Sequence, residues 1–88
     1  MGVSANILVV DDEPEIAGIL QRYLSGQGYA VSTADGGVSM RRIIAAQPID
    51  LVLLDLGLPG EDGLALMRSL RDTSSVAVIV VTGRGDAV

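Results

Sequence analysis

The sequence predicts an α/β fold, a doubly wound parallel sheet with helices on both faces. Three observations predict it. Strand-like apolar runs alternate with helix-length amphipathic segments in the order βαβαβαβ, which implies parallel strands joined by right-handed crossovers. Three of the four runs are continuously apolar, residues 7–10, 51–54 and 76–81, and the first two read as buried strands. Each of these runs leads into residues that can coordinate or react, namely Asp11 and Asp12, Asp55, and Thr82. Open parallel sheets place their chemistry at that carboxyl edge.

The elements follow in order. Residues 7–10 (Ile-Leu-Val-Val) form the first strand. Asp12-Glu13-Pro14-Glu15 opens a helix, with acids in its first turn and an early proline. Ile16, Leu20, Tyr23, Leu24 and Gln27 follow at helical spacing, and Gly26 and Gly28 end the helix. Residues 29–34 differ from the other strands: Tyr29, Val31 and Thr33 alternate with Ala30, Ser32 and Ala34. That pattern suits an edge strand and favours the spatial order 2-1-3-4. A second helix covers residues 37–47, with Met40, Ile43 and Ile44 inward, and Pro48 stops it. Residues 51–54 form the third strand, and Leu58-Pro59-Gly60-Glu61 a loop. Asp62 can cap a third helix that carries Leu64, Met67, Leu70 and Arg71. Thr73-Ser74-Ser75 turns the chain into the last strand, residues 76–81. No internal repeat, low-complexity tract or linker interrupts this series.

The totals narrow the function classes. The chain has 88 residues, which suits one domain, below the usual size of about 100–150. It is 49% hydrophobic but only 2% aromatic, so the core must be built from Val, Ile, Leu and Ala. The net charge of −5 makes a poor surface for phosphate backbones, and direct nucleic-acid binding by this segment is not expected. Without Cys or His there are no disulfides, thiolate sites, zinc triads or Ser-His pairs, and the lack of Cys fits a reducing compartment. All six basic residues are arginine. No signal peptide is visible, and no apolar run approaches the roughly 20 residues that span a bilayer. The expected location is cytoplasmic, with no membrane association.

The strand ends carry the chemistry. With strands one and three side by side, Asp11, Asp12 and Asp55 share one site. Carboxylates about 4 Å apart repel by about 1 kcal/mol in water and roughly 4 at an effective dielectric of 20. Such a site takes up a proton or a cation. Oxygen-only ligands favour a hard ion, Mg²⁺ or Mn²⁺. A divalent cation would let one carboxylate attack a phosphoryl group, and Asp55, alone at its strand end, is the better nucleophile. Thr82 offers a hydroxyl at the same edge. Each residue also has a plainer role. Asp12 can cap the first helix with Glu15 as its reciprocal partner. Asp55 alone can be a loop acid, Thr82 an ordinary strand residue, and Gly57, Gly60 and Gly63 turn glycines. No Walker-type or G-x-G-x-x-G loop follows the first strand. The joint placement after successive strands carries the case.

The segments ILVVDDEPEI (7–16), DLVLLDLGLPGEDGL (50–64) and VIVVTGRG (78–85) resemble the response regulator receiver domain of two-component signalling. The Leu-Pro-Gly-Glu-Asp-Gly-Leu stretch is most similar to receivers of OmpR-type winged-helix transcription regulators. The resemblance implies a flavodoxin-like sheet and these roles: Asp55 as phosphoacceptor, Asp11 and Asp12 as the acidic Mg²⁺ pair, Gly57 as donor of a backbone carbonyl to the metal, and Thr82 as the hydroxyl that follows the phosphoryl group during switching. Pro59 and Gly63 fit the loop after the phosphoacceptor. The partner it implies is a sensor histidine kinase, which presents a phosphohistidine to Asp55. The added group carries about −1.5 to −2 charges. The domain is self-catalysed in phosphotransfer and is not otherwise an enzyme.

The sequence departs from the family pattern in one respect. A fifth strand ending in a lysine, and a fourth and fifth helix, have no counterpart in residues 1–88, and Arg84 lies in the loop after Thr82. The expectation is a receiver incomplete at its C-terminus, lacking the last helix-strand-helix portion and impaired in switching. An open fourth-strand edge then invites a homodimer. The competing reading is a phosphorylation-independent dimerisation or assembly module. An aspartyl-phosphate hydrolase is disfavoured, because that class wants D-x-D after the first strand and this chain has Asp11-Asp12-Glu13.

Overall fold

A computed structural model describes residues 5–81. Its order is β1 (Asn6–Val10), α1 (Pro14–Gly26), β2 (Ala30–Ala34), α2 (Gly37–Ala46), β3 (Leu51–Asp55), α3 (Gly63–Thr73) and β4 (Ala77–Val81). The strands form one parallel sheet in the order β2-β1-β3-β4. The alternating strand is therefore at an edge and the two most apolar runs occupy the centre; β1 is buried on both faces, while Leu51 and Leu53 leave one face of β3 half-buried.

The pleat sends alternate residues of each strand to opposite layers. Leu8, Val10, Val52 and Leu54 point to the face covered by α2 and α3, where they pack with Met40, Leu58, Leu66 and Leu70. Ile7 and Val9 point to the other face, against Ala17, Leu20 and Leu24 of α1. Leu8, Met40, Val52 and Leu54 are fully buried. This aliphatic core replaces the aromatic anchors the chain lacks.

Asp62 caps α3 as its position suggests: its Oδ1 accepts from the Leu64 and Ala65 N–H groups at 3.0 and 3.3 Å. Met40, Ile43 and Ile44 face inward on α2, which ends one residue early because Gln47 turns extended. Its side-chain amide donates to Ser32 Oγ at 2.8 Å.

Two details differ from the sequence expectation. The buried stripe of α1 runs through Ala17, Leu20 and Leu24; Ile16, Ile19 and Tyr23 are exposed. The small Ala17 lets the helix approach β1, which turns Ile16 and Tyr23 away. On α3 the inward residues are Leu66, Met67 and Leu70, while Leu64 lies on the exposed side of the first turn set by the Asp62 cap. Along the last strand Ala77, Ile79 and Val81 are exposed and Val78 and Val80 half-buried. Among the described residues α1 packs chiefly over β1 and β2.

Candidate functional site

The parallel register fixes the site. β1 and β3 pair as far as Val10 and Leu54, so the residues that follow, Asp11 and Asp55, emerge side by side. The Asp11 N–H continues the ladder by donating to the Ala34 carbonyl at 3.0 Å. Its Oδ1 accepts from the Glu13 N–H at 2.9 Å, which ties the carboxylate to the first turn of α1. Asp55 Oδ1 accepts from the Gly57 N–H at 2.9 Å, a local turn of the kind Asp favours. Asp12 follows directly. The N-cap of α1 is Glu13, with no side-chain cap bond, so the alternative role of Asp12 as a capping-box residue is not realised.

One oxygen from each of Asp11, Asp12 and Asp55 lies within 4.8 Å of the others, and all three residues are half-buried. At that separation each pair repels by about 0.9 kcal/mol in water and roughly 3.5 at an effective dielectric of 20. Three convergent carboxylates without nitrogen or sulfur donors fit a hard divalent cation. They border an open cleft of about 400 Å³ that Gly57 also lines, with an apolar side of Ile16, Leu20, Leu53 and Val81. The structure thus brings together four of the five residues singled out in the sequence. Thr82 lies outside the described residues.

The loop after Asp55 is built to a pattern. Leu58 is buried, the Glu61 N–H donates to the Leu58 carbonyl at 3.3 Å, and Gly60 has φ +71°. Proline second and a left-handed glycine third is the pattern of a type II turn. Gly63 starts α3 against Leu56, where a Cβ would lie 2.9 Å from Leu56 Cα. Glu61 reaches back across the face, its carboxylate accepting from the Gly37 N–H at 3.0 and 3.1 Å. From the sequence Glu61 reads as a loop residue, because nothing local marks a carboxylate whose partner lies 24 positions away.

Comparison with known proteins agrees with this geometry. The family model for the response regulator receiver domain matches residues 7–88, and the chain belongs to that family. It is 47% identical over 83 residues to the TorCAD operon transcriptional regulatory protein TorR of Escherichia coli O157:H7, covering 94% of this chain and 36% of that protein. The chain thus spans about a third of the length of that curated relative. The crystal structure of the receiver domain of the TMAO respiratory system response regulator TorR superposes with a TM-score of 0.87 at 45% identity, covering 96% of this chain and 70% of that one. TrrA of Thermotoga maritima, solved in complex with Mg²⁺-BeF, gives a TM-score of 0.84 at 34% identity over 92% of this chain and 71% of its own. The same regulator in complex with the histidine kinase ThkA gives 0.83 at 34% identity, over 93% and 75%. The flavodoxin-like doubly wound architecture and the receiver assignment are therefore established. No helix among the described residues is long and apolar enough to cross a membrane.

Proposed function

We propose that residues 1–88 act as the phosphoacceptor unit of a two-component response regulator, with Asp55 taking a phosphoryl group from a histidine kinase. The observation that carries this reading is the convergence of the Asp11, Asp12 and Asp55 carboxylates within 4.8 Å at the ends of two adjacent strands. Asp11, Asp12 and Asp55, with the Gly57 carbonyl, would hold Mg²⁺, which would supply charge screening between carboxylate and phosphoryl oxygens. An Asp55 oxygen attacks the phosphorus of the phosphohistidine in line. The phosphorus–nitrogen bond breaks, its electron pair stays on the imidazole, and the imidazole takes up a proton. The bond from the Gly57 N–H holds Asp55 in place for that attack. Thr82 then turns its hydroxyl to the phosphoryl group. The transfer is catalysed by the receiver itself. A cytoplasmic setting, a regulated transcriptional output and the absence of direct nucleic-acid contact by this segment fit the acidic charge and the relatives.

The second reading, a phosphorylation-independent assembly module, is favoured by one observation. Among the described residues β4 is the edge of the sheet opposite β2, and Ile79 is 51% and Val81 40% exposed. We take this edge as a homodimer interface, which is compatible with either reading.

Incubation with Mg²⁺ and acetyl phosphate separates the two. A gain of one phosphoryl mass that disappears in Asp55→Asn and with chelator supports the phosphoacceptor. An unchanged mass leaves the assembly module.

A further inference from the structure

We propose that Glu61 is a positioning residue for the acidic site. Its carboxylate latches the loop that follows Asp55 onto the N-terminus of α2, and the Gly36-Gly37 pair is there to admit it. The functional half of this proposal rests on the phosphoacceptor reading; the latch itself does not.

Gly37 is the first residue of α2, and its N–H is one of those a helix start leaves without an intrahelical partner. The N-cap, Gly36, has no side chain to satisfy it. Glu61 does so from another loop, with both carboxylate oxygens on the Gly37 N–H, and its charge lies at the favourable end of the helix dipole.

The two glycines bear the imprint of that carboxylate. A Cβ on Gly36 would lie 2.6 Å from Glu61 Oε2 and 3.7 Å from Glu61 Cδ, and among the described residues beyond its chain neighbours no other residue comes within 4 Å of it. Gly36 has φ 177°, extended backbone that any residue adopts, so its own conformation does not require glycine. A Cβ on Gly37 would collide with Glu61 Oε1 and come within 3.0 Å of Leu66 Cδ2.

The latch holds what the site needs held. Between Asp55 and Asp62 the chain is pinned by the Gly57 N–H on Asp55, by buried Leu58, by the Leu58–Glu61 turn and by the Glu61 latch. Gly57, which lines the acidic cleft, sits in the middle. The other end of the latch is α2, which packs on β1 and β2. Glu61 thereby fixes the loop carrying Gly57 relative to the strand carrying Asp11.

The test is a melting cycle in chelator over wild type, Gly36→Ala, Glu61→Ala and the double variant. Mg²⁺ titration calorimetry follows, on wild type, Glu61→Ala and Glu61→Gln, well below their melting ranges. Glu61→Ala should lower Tm by about 4–8 °C, the shift for one lost cap in a domain of this size. Gly36→Ala should lower Tm when Glu61 is present and leave it unchanged or raised in the Glu61→Ala background. Glu61→Ala should raise the Mg²⁺ dissociation constant about tenfold, while Glu61→Gln, which keeps one oxygen for the Gly37 N–H, should stay within about twofold of wild type. An equal effect of Gly36→Ala in both backgrounds overturns the latch. An unchanged Mg²⁺ affinity in Glu61→Ala overturns the positioning role, as does a Glu61→Gln as weak as Glu61→Ala, which would make charge rather than geometry the cause. A wild type that binds no Mg²⁺ overturns the site reading and the positioning role with it, while the melting cycle still decides the latch.

Discussion

Replacing Asp12 with Asn should make the protein more stable in chelator and less responsive to Mg²⁺. Asp12 is the cleanest of the three carboxylates to neutralise, because Asp11 and Asp55 also accept backbone N–H bonds while α1 takes no side-chain cap from its N-cap. Its neutralisation removes two of the three repulsive pairs held within 4.8 Å. At about 0.9 kcal/mol each in a water-like medium, that is roughly 1.8 kcal/mol, lowered somewhat by salt. Loss of a negative charge near the start of α1 costs about 0.5 kcal/mol. The net gain of about 1 kcal/mol should raise Tm by about 4–8 °C. With Mg²⁺ at ten times its dissociation constant, wild type gains about 1.4 kcal/mol and the variant much less, so the order reverses. Thermal unfolding by circular dichroism, with chelator and with Mg²⁺, reads both effects. An Asp12→Asn variant that melts at or below wild type in chelator and gains as much from Mg²⁺ would refute the shared acidic site.

Three further outcomes follow from the packing. Asp62→Ala should cost about 1 kcal/mol in urea unfolding, because two N–H groups at the start of α3 lose their acceptor. Gly63→Ala should destabilise by about 1–3 kcal/mol, since its Cβ meets the Leu56 backbone at 2.9 Å as well as the Leu56 side chain, and the backbone cannot turn aside. Ile79→Lys, on the exposed face of β4, should leave the melting curve of the folded chain nearly unchanged and shift a dimer to monomer in sedimentation; a wild type that is already monomeric at micromolar concentration removes the proposed interface.

Long-range architecture was the more legible part of this sequence. A continuous run such as Ile7 to Val10 announces a strand buried on both faces, and the alternating run ending at Ala34 announces an edge; together they favour the observed order of the sheet. Asp11, Asp12 and Asp55 were legible for the same reason, because residues that follow paired parallel strands must emerge together. Helix phase was less legible. In α1, Ile16 and Tyr23 carry more apolar surface than Ala17, yet Ala17 faces the sheet because close packing favours the small residue there. Glu61 was invisible to local pattern, because its partner belongs to another helix and leaves only two adjacent glycines as a trace.

The central claim is that Asp55 is the phosphoacceptor of a Mg²⁺-dependent site. Its most direct test is borohydride trapping after exposure to acetyl phosphate, since the hydride reduces an aspartyl phosphate to homoserine at the position that carried it. Peptide sequencing should find homoserine at position 55 when Mg²⁺ is present and intact aspartate there when the metal is chelated. Homoserine at position 11 or 12, or aspartate at 55 under both conditions, would contradict the account.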